Sequence, residues 1–166
     1  MSGLGRLLRH FFMTHWQVNR IFPAATLTAI EAAVKRAEQS HAGQIRVVIE
    51  GALPAAPLWH GVSARQRAID VFSLLRVWDT EHNNSVLIYL LLADHDVEIV
   101  ADRGIAKRVS QEAWEGMCRQ MEVAFRDGRF EQGMLSGIDA VAAVLASHFP
   151  PTADAGNELP DKPLLI

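Results

Sequence analysis

With 166 residues, 49% of them hydrophobic and 21% charged, the chain has the size and apolar content of one globular domain with a substantial core. A net charge of −3 and a pI near 6.1 exclude a protein held to nucleic acid by phosphate contacts, so no nucleic-acid partner is expected. The single cysteine, Cys118, excludes an internal disulfide and a cysteine-based zinc site, and it suits a reducing, cytoplasmic setting.

Residues 1–22 read as a separate amphipathic helix. Leu4, Leu7, Leu8, Phe11 and Phe12 fall at helical spacing, and Arg6, Arg9 and Arg20 all precede the first acid, Glu31. The apolar run Phe11-Phe12-Met13 is too short for the core of a secretory signal. Two readings follow. In one, the Leu/Phe stripe docks on the domain or on a second copy, the usual role of such a stripe. In the other, residues 1–20 contact an anionic membrane surface peripherally or resemble an organellar transit peptide. The first is the default expectation.

Residues 23–149 carry the regular elements. Pro23 suits the first position of a helix whose stripe is Leu27, Ile30, Val34 and Ala37, and Gly43 stops it. Ile45, Val47 and Ile49 then alternate with Arg46, Val48 and Glu50 as in a strand. Residues 51–61, with Pro54 and Pro57, read as a loop. Ser63-Ala64-Arg65-Gln66 has capping-box form and opens a helix with the face Ala64, Ala68, Val71, Phe72, Leu75 and Trp78.

Residues 83–104 are the most informative stretch. Asn83-Asn84-Ser85 feeds an apolar run from 86 to 93, Asp94-His95-Asp96 interrupts it, and a second run from 97 to 101 ends in Asp102-Arg103-Gly104. The β-branched content predicts a β-hairpin at the centre of the sheet, with Asp94-His95-Asp96 as its turn. In an antiparallel hairpin the start of one strand neighbours the end of the next, so Asn83, Asn84 and Asp102 should share one rim.

Ser110 then caps a helix with the stripe Trp114, Met117, Cys118, Met121 and Phe125, where Cys118 reads as inert packing. A last helix carries Met134, Ile138, Val141, Ala142, Leu145 and Phe149. Its Gly133-x-x-x-Gly137 reads as close packing on the sheet, and Pro150-Pro151 ends it. Residues 150–166 read as an extended or mobile tail, with Leu164, Leu165 and Ile166 able to pin its end to a groove. The order of elements predicts an α/β fold, a mixed sheet with helices on both faces.

Asp79, Glu81, Asn83, Asn84 and Asp102 are all oxygen donors near the predicted rim, and hard cations such as calcium or magnesium take oxygen ligands. The same residues build turns by bonding their own backbone, so both a metal site and a plain loop fit this composition. The histidines show no metal-ligand spacing, and neither a phosphate-binding glycine loop nor a nucleophile elbow occurs.

Five segments taken together resemble the TPM domain family: Gln44-Ile45-Arg46-Val47-Val48, Arg67-Ala68, Asn83-Asn84-Ser85-Val86-Leu87-Ile88, Asp102-Arg103-Gly104-Ile105-Ala106 and Phe130-Glu131-Gln132-Gly133. The resemblance covers about residues 25–148. It implies a three-layer αβα sandwich around a small mixed sheet. It also implies one of two activities: an acid phosphatase with a divalent-cation site at the end of the hairpin, or a membrane-associated accessory protein. Asn83 stands where the family pattern has Asp, Ser85 where it has Gly, and Ala106 where it has Glu, so two carboxylates are missing. Asp102 stands where Gly is usual and restores one. The expectation is therefore a non-catalytic TPM-type module that binds a protein partner. The alternative is a cation-dependent phosphatase acting on phosphomonoesters, with Asp79, Glu81 or Asp102 as base.

Overall fold

The computed structural model describes residues 3–153 and 155–166; positions 1 and 2 of the N-terminal segment and position 154 of the tail lie outside the described residues. Its sheet is built on β1 (Gln44–Glu50), which pairs in parallel with β2 (Ser85–Leu91), and β2 pairs antiparallel with β3 (Asp96–Ala101). The tail closes the other side. β4 (Leu164–Leu165) joins β1 in parallel, giving the order β3-β2-β1-β4. The hairpin exists as expected, with β2 inside the sheet and β3 at its edge.

Both faces of the sheet are covered, which makes three layers. On one face Ile45, Val47, Ile49, Val86, Ile88 and Leu90 pack against α3 (Ala24–Glu38), α7 (Gln111–Arg126) and α8 (Phe130–His148). On the other, Val48, Leu87, Tyr89, Leu91 and Val100 pack against α5 (Ala64–Leu74). This burial on both sides explains why β2 reads as a continuous apolar run. It also forces the polar positions of β1 to find partners. Glu50, buried, accepts a two-pronged pair of bonds from Arg67 at 2.8 Å each and one from the Tyr89 hydroxyl at 2.6 Å. Arg46, also buried, donates to the carbonyls of Pro160 (3.0 Å) and Lys162 in the tail. The alternation of β1 thus marks which face each residue serves, and neither face is wet.

Several boundaries differ from the sequence expectation for local reasons. The N-terminal segment forms two helices, α1 (Gly3–Phe12) and α2 (His15–Ile21), because Thr14 and Gln17 cap each other's backbone and restart the chain. Residues 51–61 contain a short helix, α4 (Ala55–Trp59), opened by Pro54. The stripe assigned to α5 stops early. Arg76 takes a left-handed φ of 52°, which turns Val77 into the core and leaves Trp78 exposed. The glycine pair of α8 packs on α7 and not on the sheet: a Cβ at Gly133 would lie 2.7 Å from a Phe125 ring carbon, and one at Gly137 would lie 2.3 Å from Met121 Sδ. Only glycines let the two helices approach so closely.

From position 158 onward the tail is tied to β1 and the residues that follow it. Gln44 Oε1 accepts from the backbone of Glu158 and Leu159, and Ile166 exchanges backbone bonds with Ile49 and Gly51.

Candidate functional site

Backbone bonds assemble the rim at one end of the hairpin. Asp102 N–H donates to Ser85 O at 2.9 Å, and Gly104 N–H donates to Asn83 O at 3.0 Å. The approach is tight. A Cβ at Gly104 would sit 2.5 Å from Asn83 O and 3.2 Å from His82 O. Asn83 enters it with a left-handed φ of 51°, a conformation its short amide side chain tolerates better than most. The two sequence-distant ends of the hairpin therefore share a rim, as strand pairing requires.

The five expected oxygen donors divide into two groups. Asn84 and Asp102 are buried, at 1% and 4% exposure. Asn84 Nδ2 donates to Ala42 O at 2.7 Å, and Asp102 Oδ1 caps α6 (Arg103–Ala106) by accepting from Arg103 N–H at 2.6 Å. Their remaining oxygens, Asn84 Oδ1 and Asp102 Oδ2, are buried without a hydrogen-bond partner, and so is Oγ1 of Thr80, a residue the sequence did not single out. Asp79, Glu81 and Asn83 are exposed. Asp79 pairs with Arg76 at 2.8 Å, and the Glu81 backbone N–H donates to the Glu158 carboxylate.

Register separates the buried pair further. Continuing the β2–β3 ladder sets Asp102 opposite Ser85 and places Asn84 one residue along, where alternation turns it to the other face. Ser85 Oγ donates to Val77 O on the α5 side, while Asn84 reaches Ala42 O, beyond the end of α3.

For a hard cation the donor type fits and the charge does not. The unpartnered atoms of Thr80, Asn84 and Asp102 are oxygens, but one buried carboxylate supplies little of the anionic charge on which such sites depend. Among the described residues no group of three or more His, Cys, Asp or Glu side chains is arranged to hold a metal ion.

The opposite end of the hairpin is chemically its inverse. Leu92–Asp94 form a single 3₁₀ turn, and His95 takes a left-handed φ of 52°, so Asp94-His95-Asp96 is the expected turn. Asp94 meets three basic side chains of α1: Arg6 Nε at 2.8 Å, Arg9 Nη2 at 3.0 Å and His10 Nε2 at 3.0 Å. Burial alone would raise its carboxyl, yet Arg6, His10 and Arg9 hold it below the usual carboxylate range. The same side chains also bind backbone: Arg6 donates to Val62 O, Arg9 to Ala93 O, and His10 Nδ1 accepts from Leu53 N–H at 3.0 Å. The sequence held the signal for this, since 6, 9 and 10 fall on one helical face, opposite 4, 8 and 11.

A second polar region lies along β3 and α7, in a groove of about 370 Å³ lined by Arg65, Asp96, Glu98, Trp114, Cys118 and Glu122 among others. Arg65 donates to Ile99 O at 2.8 Å and Glu122 accepts from Val97 N–H at 3.3 Å, so side chains cap the free edge of β3 against another strand. Burial, then the charges of Glu122 and Glu98, push Asp96 up to about 6. Burial pushes the Cys118 thiol up to about 12, which removes it as a nucleophile at neutral pH.

Comparison with known proteins agrees with this architecture. The family model of the TPM domain matches residues 18–144. The NMR structure of BA42 protein from the psychrophilic bacterium Bizionia argentinensis is 32% identical with a TM-score of 0.75, over 86% of this chain and 94% of that one. The N-terminal domain of a protein from P. gingivalis (20% identity, TM-score 0.61, covering 78% and 81%) shares the fold. So does the N-terminal domain of cg2496 from Corynebacterium glutamicum (13% identity, TM-score 0.55, covering 82% and 80%). No curated protein matches the sequence.

Proposed function

This chain belongs to the TPM domain family, and from that premise we propose that it is a non-catalytic TPM-type binding or accessory module working at the periphery of a membrane. The observation that supports this is the charge at the hairpin rim. Of the five expected donors only Asp102 is a buried carboxylate, while Asp79 and Glu81 face solvent. Affinity of hard cations for oxygen sites rises with the number of anionic ligands, and metal-assisted phosphoryl transfer needs a firmly held cation. Asn83 and Ala106, standing where the family pattern has acids, remove that requirement's main support. No helix of the described residues is long and apolar enough to cross a membrane.

A second reading, a calcium- or magnesium-dependent acid phosphatase acting on phosphomonoesters, has one observation in its favour. Asp102 Oδ2 is buried at the rim without a partner, and buried polar atoms without partners are rare. A bound cation would neutralise phosphoryl charge and polarise a water. Asp102 would be its anionic ligand. Thermal unfolding with and without millimolar calcium or magnesium separates the two readings. The module reading expects the midpoint to move by less than about 1 °C, because a ligand without affinity for the native state adds no stability. It also expects no metal-dependent hydrolysis of p-nitrophenyl phosphate. A rise of several degrees that Asp102→Ala abolishes, together with turnover, would install the phosphatase in its place.

A further inference from the structure

The apolar stripe of the N-terminal helix α1 does not dock on its own domain, one of the two forms of the default expectation. Its Arg6, Arg9 and His10 face the domain and bind Asp94 and three backbone groups, and His10 is its buried residue. Its apolar stripe faces out. Leu4 is 68% exposed, Phe11 84% and Phe12 64%, with Leu8 beside them on the same face. Trp16 of α2, the next helix along the chain, is 67% exposed. From a distant part of the sequence α4 adds Trp59, 79% exposed, and a cavity of about 300 Å³ lined by Gly3, Arg6, Leu7, Leu58, Trp59 and Gly61 joins it to α1. None of the residues of α4 is buried. A helix stripe normally packs on its own core; here charged groups hold it away from the core.

The charge distribution identifies what covers this surface. The chain as a whole is acidic, with a net charge of −3, yet residues 1–30 and 51–64 contain no Asp or Glu. Those two segments build the exposed face. Arg20 lies over the Trp16 ring at 5.4 Å, so a guanidinium flanks the exposed aromatic side chains, and the two segments themselves supply no carboxylate to offset it. Aromatic side chains with an apolar body and a polar edge, flanked by arginine and lacking carboxylates, suit the headgroup boundary of an anionic bilayer.

We propose that α1, α2 and α4 form one membrane-facing surface, in which Leu4, Leu8, Phe11, Phe12, Trp16 and Trp59 enter the interface of an anionic lipid bilayer. The Asp94 pairing holds α1 in that pose. This rests on the binding-module reading and names its partner as lipid. The helix lies in the plane of the interface and does not cross it, and the domain keeps its full core while attached.

The test is co-sedimentation of the full chain with two vesicle types, phosphatidylcholine containing phosphatidylglycerol and phosphatidylcholine alone, while Trp emission is recorded. The expected result is binding to the anionic vesicles with a blue shift, weakened at least tenfold at high salt and on the neutral vesicles. Phe11→Ser combined with Trp59→Ser should cut partitioning at least tenfold. It should leave the unfolding midpoint nearly unchanged, since neither side chain is in the core. If that pair fails to fold, Trp59→Ser alone serves as the second variant and should still lower binding several-fold. Three results overturn the proposal: no binding to either vesicle; binding that both variants retain; or a dimer in sedimentation velocity that Phe11→Ser dissolves, which would assign the surface to a second copy. These results bear on the membrane part of the module reading and leave its non-catalytic part untouched, which metal-dependent phosphatase turnover would overturn whatever the vesicles show.

Discussion

The two ends of one hairpin carry the same residue type to opposite ends of its chemical range. At the turn, Asp94 is met by two arginines and a histidine within 3.0 Å; at the rim, Asp102 keeps one oxygen buried and unpartnered. A surrounded carboxylate has no capacity left and acts as a fastening. A carboxylate with a free oxygen is available to something else, whether an ion, a water or a proton. Charge on a residue therefore says little until its neighbours are known. In this fold the neighbours of Asp94 come from α1, more than eighty positions away.

The largest expected effect tests the fastening. Asp94→Ala removes the carboxylate that Arg6, Arg9 and His10 share. Breaking a buried pair costs roughly 3–5 kcal/mol, and the partial exposure of both arginines reduces this to about 2–3 kcal/mol. That is a fall in the thermal midpoint of roughly 5–10 °C, read by calorimetry near neutral pH. The loss should be smaller in acid, because the depressed folded pKa means wild-type Asp94 contributes above its unfolded pKa and ceases to as pH falls through the folded one. A midpoint unchanged by Asp94→Ala would erase the contrast between the two ends.

A smaller effect tests the rim. Gly104→Ala introduces a Cβ 2.5 Å from the Asn83 carbonyl, a backbone atom that moves only if the loop before β2 moves with it. The expected cost is about 2 kcal/mol, in the range for overpacking, measurable by urea unfolding. Amide exchange should quicken at Gly104 and Asp102, whose N–H groups close the rim, and stay slow at Val47 in the centre of β1.

The smallest effect sharpens the comparison within the turn itself. Asp96, two residues from Asp94, is pushed up to about 6, mainly by burial and then by Glu122 and Glu98. The sign is opposite to that of Asp94. Because its folded pKa lies above the usual 3.8, the native state binds the extra proton between those values, and stability is lost as pH rises through about 6. Asp96→Asn should therefore match wild type near pH 3.5 and exceed it above pH 7. The expected gain is about 1 kcal/mol once solvent screening is discounted. A midpoint difference that does not grow with pH would mean the acids along β3 and α7 do not repel as their positions imply.

The paired strands, the main helices and the location of the rim were legible in the sequence because they rest on local pattern. A period of two makes β1, and short apolar runs with β-branched residues make β2 and β3; a period of 3.6 with Ser63 and Ser110 as caps makes α5 and α7. Antiparallel pairing then sets Asn83 near Asp102 whatever surrounds them. Less legible were features that depend on contact between distant segments. The orphaned Thr80 hydroxyl, the pairing of Leu164–Leu165 with β1 and the packing of Gly133 and Gly137 on α7 all belong here.

The N-terminal helix shows the division most plainly. Amino-acid order alone determined that α1 has two faces, one of Leu and Phe, the other of Arg and His. Which face turns inward was decided only when the chain folded, because Asp94, the carbonyls of Val62 and Ala93, and the N–H of Leu53 converge beneath it. Hydrophobic burial is proportional to area and has no direction, whereas a carboxylate held among three donors has a fixed geometry. In this protein that geometry prevailed, and the apolar face was left to the outside.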